Sequence, residues 1–132
     1  MALIIYNAKA YSTKLKCTIQ KTGKLGFTAE TAKALNLTPT TFIKIAGDDE
    51  QPGSLFLIVC QGEDEYGFKV DYISKYYSLP TTALFNELNI DYKNYTVMYD
   101  LARDASLDSS ANGAVYRMME RRNPRKKKEV DM

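Results

Sequence analysis

The chain has 132 residues, 45% of them hydrophobic and 26% charged, and its net charge is +2. These are the proportions of one ordinary globular domain, and they exclude wholesale disorder and a uniformly basic nucleic-acid surface. There is no histidine, which excludes histidine-based triads and histidine metal sites.

The longest apolar runs, Leu3 to Tyr6 and Leu55 to Cys60, are too short to span a bilayer. No charged region followed by an apolar stretch and a small-residue cleavage site opens the chain. The expectation is a cytoplasmic protein without a membrane partner. Cys17 and Cys60 then read as buried thiols of two strands rather than a disulfide framework. The segment around Leu3 to Ala8 adds an edge strand.

From Leu15 the pattern turns to alternation. Leu15, Cys17 and Ile19 are apolar between Lys16, Thr18 and Gln20, the period of a half-buried strand. Lys21-Thr22-Gly23-Lys24 makes a turn, Leu25-Gly26-Phe27 a short strand, and Thr28 starts a short helix that ends at Leu35-Asn36-Leu37. Ala32 and Leu35 are spaced to face one side. Thr41 to Ile45 is a strand, the loop Asp48 to Gly53 follows, and Leu55 to Cys60 returns. That last run has no polar positions, so both its faces are expected to be buried, in a central strand or a subunit interface.

The same order recurs at an offset of 53 residues. Phe68, Val70 and Tyr72 alternate with Lys69 and Asp71, which turns Tyr72 to the core. Ser74-Lys75-Tyr76-Tyr77 is the second turn and Ser78-Leu79-Pro80 the short strand. Thr81 to Ile90 is the helix, with Phe85 and Leu88 on its inner side. Asn94 to Met98 and Ala114 to Met119 are the last strands, separated by a longer loop from Asp104 to Gly113. The fold class is α+β, mainly β: two tandem β-β-α-β-β pseudo-repeats, 15–61 and 68–119, packed as one small barrel-like domain with two short helices. Residues 1–120 form this unit, and 121–132 form a disordered basic tail.

The stretch from Thr18 to Leu37 also carries a resemblance. Gly23-Lys24-Leu25 and Ala34-Leu35-Asn36-Leu37 resemble the Gly-basic-apolar step and the helix end of the AbrB/MraZ-type swapped-hairpin DNA-binding regulators, and the tandem copies resemble the MraZ arrangement. The resemblance covers 15–61 fairly well and 68–119 loosely. Phe27-Thr28 replaces a branched apolar residue and proline, which Leu79-Pro80 does supply. Lysines stand where the family uses arginines in its DNA-facing hairpin. What the resemblance implies is a dimeric, non-enzymatic protein that binds DNA mainly through its backbone.

Charge is unevenly spread. Residues 1–29 hold five lysines and no acid, 48–65 hold six acids and no base, and from Arg117 onward there are seven bases and three acids. Lys14, Lys16, Lys21 and Lys24 fall on one hairpin, as a phosphate-facing patch or as the polar face of an amphipathic strand. Lys75, Tyr76 and Tyr77 form an aromatic-basic group suited to stacking bases of a single strand. Arg121, Arg122, Arg125, Lys126, Lys127 and Lys128 supply a cationic tail, which as readily serves solubility. The acidic runs Asp48-Asp49-Glu50 and Glu63-Asp64-Glu65 lack Ca²⁺-loop spacing and read as solvated loop charge. No cofactor or metal is expected. The leading expectation is a nucleic-acid-binding protein with double- or single-stranded DNA as partner. The alternative is a structural module forming a β-rich homo-oligomer, a dimer being favoured.

Overall fold

A computed structural model describes residues 1–6 and 15–125. The described residues form one nearly closed, barrel-like sheet of nine antiparallel strands. They are β1 (Leu15–Ile19), β2 (Leu25–Phe27), β3 (Phe42–Gly47), β4 (Leu55–Cys60), β5 (Phe68–Lys69), β6 (Asp71–Ile73), β7 (Tyr76–Leu79), β8 (Tyr95–Arg103) and β9 (Gly113–Pro124). Helices α1 (Ala29–Ala34) and α2 (Thr82–Glu87) follow β2 and β7. The α+β, mainly β class and the two repeat helices are as the sequence suggests. A third helix, α3 (Asp108–Ala111), lies with a 3-10 turn in the longer second-repeat loop.

The order around the sheet is β5-β3-β4-β9-β8-β1-β2-β7-β6, so the repeats are interleaved. The β1–β2 hairpin of the first repeat joins β8 of the second along all five β1 residues, Leu15 to Ile19. Reciprocally, β5 of the second repeat joins β3 of the first, through Phe68 and Lys69 only. Chain continuity from β5 through Val70 to β6 brings the sheet round to β7. A pseudo-dyad passes through the Gly26–Ser78 pair on one wall and the Leu55–Met118 pair on the opposite wall.

Both repeat helices end in the same way. Leu35 and Leu88 are the C-caps, and Asn36 and Asn89 follow at φ 54° and 58°. The Asn36 and Leu37 N–H groups donate to Lys33 and Ala32 carbonyls; Asn89 and Ile90 repeat this on Asn86 and Phe85. This is the Schellman arrangement, in which asparagine tolerates the left-handed position and the orphan carbonyls are satisfied. It explains the Leu-Asn-apolar step shared by the copies.

The helix starts differ. Thr28 caps α1 by accepting from the Thr31 N–H at 3.2 Å. The Thr81 hydroxyl does not cap α2. It is fully buried and accepts from the Leu25 N–H at 3.1 Å while lying 3.0 Å from the Gly23 carbonyl. That bridge ties the second repeat to the first hairpin.

Inside the sheet, Cys17, Ile19, Leu25, Phe27, Ile43, Leu57, Leu79, Phe85 and Val97 are inaccessible or nearly so. β4 is central, between β3 and β9, with Leu57 facing in and Ile58 covered from outside. Several expectations are corrected. The constant 53-residue offset fails in the third strand, where fully buried Ile43 corresponds to Val97, one residue further on. The turn of the second hairpin is only Ser74-Lys75, both at positive φ, so Tyr76 and Tyr77 belong to β7. Tyr72 is 44% exposed: past the break at Val70 its strand runs beyond the core rim, and its ring leans on Tyr77, centroids 4.5 Å apart. Leu88 is 44% exposed as well. β9 extends to Pro124, paired with Tyr95, so no tail begins at residue 121. The first six residues form no strand, and the rest of the expected edge strand lies outside the described residues.

Candidate nucleic-acid interface

Lys21 and Lys24 sit on the β1–β2 turn, where Gly23 takes φ +90°. A Cβ at Gly23 would come within 2.9 Å of Thr82 and of the Tyr92 hydroxyl, and the Thr22 carbonyl accepts from the Thr82 hydroxyl at 2.8 Å. The first hairpin tip therefore packs on the start of the second repeat's helix. On the other side of the dyad, the Ser74-Lys75 tip reaches towards α1, and Lys75 shares a hollow with Lys33, Ala29 and Tyr76.

The two tips lie at opposite ends of the short β2–β7 ladder, so the expected residues form two groups. At one end, Lys21, Lys93 and Arg125 surround a hollow of about 480 Å³ that also holds Asp91, Asn94 and Tyr95. Hydrogen bonds from the Asn94 side chain and N–H hold the Asp91 carboxyl below its ordinary 3.8. Arg125 is pinned there: its Nε donates to the Tyr92 carbonyl at 2.8 Å and a terminal nitrogen to Ile19 at 3.3 Å. At the other end stand Lys75, Lys33 and Tyr76. Tyr76 lies over Gly26, where a Cβ would clash with its hydroxyl, and Gln20 donates to that oxygen at 3.1 Å. Tyr77 turns inward and packs on the core. Adjacent residues of a strand face opposite ways, so of these two tyrosines Tyr76 is the one left on the surface.

Three other expected cations are engaged in ion pairs. Lys24 pairs with Asp71 at 3.3 Å, Arg121 with Asp100 at 3.0 Å, and Arg122 with Glu120 at 3.0 Å. Arg122 also stacks over Tyr95, 5.4 Å from the ring centre. Lys16 points outward and stands opposite Asp100 in the ladder. Lys14, Lys126, Lys127 and Lys128 lie outside the described residues.

Lys33 and Lys93 escaped the sequence reading. Each joins its group only through tertiary packing against a hairpin tip or strand end, for which local spacing carries no signal. The acidic loops do not converge: among the described residues no group of three or more potential metal ligands comes together, and Asp48 accepts from the Glu50 N–H while Asp64 pairs with Lys44 at 3.2 Å. No helix among the described residues is long and apolar enough to cross a membrane. Comparison with protein-family models, with curated proteins and with solved structures finds no match.

Proposed function

We propose that the protein is a non-enzymatic nucleic-acid-binding protein, of the kind of the swapped-hairpin regulators it resembles, that contacts phosphates through its two dyad-related hairpin tips. The observation that carries this reading is the placement of unpaired charge. Lys24, Lys44, Arg103, Arg117, Arg121 and Arg122 are each neutralised by a carboxylate. Of the described cations that make no ion pair, Lys21, Lys93 and Arg125 stand at one tip and Lys33 and Lys75 at the other, while Lys16 and Lys69 lie on β1 and β5. Lysines supply charge without the planar fork that reads guanine, so the contacts are to the backbone. The exchanged hairpins and the tandem repeat support the same reading.

The test is fluorescence anisotropy of labelled duplex and single-stranded DNA across a salt series. The chain is compared with a version ending at Arg125 and with Lys21→Glu/Lys93→Glu. Binding should survive truncation, weaken in the double variant, and lose about one unit of salt slope per lysine removed. Unchanged binding by the double variant rejects the hairpin tip. Binding lost only with the tail leaves a non-specific extension.

A second reading, a β-rich homo-oligomer, is favoured by one observation. Leu3, Ile4 and Ile5 are 79%, 77% and 89% exposed, and a run of exposed apolar strand-forming residues is the usual mark of a contact surface. Sedimentation equilibrium of the chain and of Ile4→Asp separates the cases. A monomer at all concentrations rejects this reading.

A further inference from the structure

Because the halves of the sheet are related by a pseudo-dyad, each position in one half has a counterpart against which it is judged. In the first repeat, Ile43 and Ile45 of β3 stand opposite Val59 and Leu57 of β4. All four are apolar, on the inner face, and part of the core or packed on it. In the second repeat, Val97 and Tyr99 of β8 stand opposite Arg122 and Glu120 of β9. Three polar or charged side chains therefore replace three aliphatic ones on the inner face of one half alone.

The helix ends follow suit. Leu35 and Leu37 are buried, at 5% and 8% exposure, whereas Leu88 is 44% exposed and Ile90 half-buried. The result is a cavity of about 430 Å³ between the β3–β4 hairpin of the first repeat, which supplies Asp48 and Leu55, and the second repeat, which supplies Leu88, Ile90, Tyr99, Glu120 and Arg122. Tyr99 is only 2% exposed, yet its hydroxyl has no hydrogen-bond partner among the described residues. A buried hydroxyl left so is costly and marks a place where a polar group is wanted. Glu120 and Arg122 are paired with each other and stay 42% and 36% exposed, so both are reachable.

Two carboxylates, Asp48 and Glu120, face one guanidinium, Arg122, beside the aliphatic side chains of Leu55, Leu88 and Ile90, and this set matches a ligand that carries both charges on an apolar body. We propose that this cavity binds a small zwitterion of the class of free branched-chain amino acids. The ligand ammonium is taken by Glu120, its carboxylate by Arg122, and its side chain lies against Leu55, Leu88 and Ile90. The site is separate from the hairpin tips, and the inference does not rest on nucleic-acid binding.

The experiment is isothermal titration of the full chain with L-leucine, 4-methylpentanoate (no ammonium) and 3-methylbutylamine (no carboxylate). The same titrations are run on Glu120→Leu/Arg122→Val, which installs the residue types of the first repeat, and on Glu120→Gln. Circular dichroism and urea unfolding check that each variant folds. Leucine should bind, and each singly charged analogue should be weaker by about tenfold or more, the worth of one lost charge-assisted hydrogen bond. The double variant should lose leucine binding. Glu120→Gln should weaken leucine while leaving 4-methylpentanoate unchanged. No binding of leucine, equal binding of either analogue, or undiminished binding in the folded double variant overturns the proposal.

Discussion

Thr81 offers the sharpest test of how the two repeats are joined. Replacing it by valine keeps its shape and removes the hydroxyl that serves the Leu25 N–H at 3.1 Å and the Gly23 carbonyl at 3.0 Å. Leu25, Gly23 and Thr81 are all buried, so water cannot replace the lost partner. Two backbone groups left unsatisfied cost about 1–3 kcal/mol each, and the added methyl returns about 0.8 kcal/mol. The net loss is about 3 kcal/mol. The Leu79 carbonyl is spared, because the Thr81 N–H still reaches it at 2.8 Å. With a urea slope of ~2 kcal/mol/M, the unfolding midpoint should fall by about 1.5 M at unchanged slope. Thr81→Ser should recover most of the loss. Thr28→Val, which removes an ordinary helix cap, should cost only about 1 kcal/mol. A Thr81→Val midpoint within ~0.5 M of the parent would refute the reasoning, since it would mean that Leu25 and Gly23 find other partners.

Tyr99→Phe should stabilise the unliganded protein by about 1 kcal/mol, because it deletes an unsatisfied buried hydroxyl; urea unfolding reads this directly. Gly113→Ala should destabilise more than Gly26→Ala. The first Cβ would meet the Val59 carbonyl at 2.6 Å, which is backbone, while the second meets the movable Tyr76 side chain; Tyr76→Ala should rescue Gly26→Ala in a double-mutant cycle. The Asp108 carboxyl is held below its ordinary 3.8 by Arg103 and by the Val115 N–H. Its folded value is below its unfolded one, so its contribution is present above pH 3.8 and is lost as pH falls through the folded value. Asp108→Asn should therefore flatten the acid limb of stability against pH. Cys60 should react with a thiol reagent in the native protein and Cys17 only on unfolding, because Cys17 is fully buried and its thiol is pushed far up by that burial.

The parts of the fold that were legible in the sequence were those written in local spacing. Alternation from Leu15 to Ile19 found β1, Gly23 found its turn, and the apolar run from Leu55 to Cys60 found a central strand. The repeated Leu-Asn step found two helix ends, since the left-handed position after each helix favours asparagine. Tyr72 was misjudged because alternation records which face a residue takes but not whether core lies beneath that face. The basic run from Arg121 reads as a tail by composition, yet Met98, Val97, Thr96 and Tyr95 of β8 are there to pair with it. Lys24 and Arg121 are legible as charges while their partners Asp71 and Asp100 are set by register, which the sequence does not record. Charge patterning therefore named more candidate phosphate contacts than tertiary pairing leaves free.

The interleaved strand order has a consequence for how the chain comes into being. During synthesis the β1–β2 hairpin is made first, but both its neighbours, β7 and β8, belong to the second repeat. Until Leu101 has left the ribosome, Leu15 has no partner across the ladder. A nascent first half thus exposes two bare strand edges for most of its translation. In that interval its acid-free run of lysines repels copies of itself on neighbouring ribosomes. Splitting the gene between the repeats should yield two fragments that are each incomplete and that assemble only when they meet.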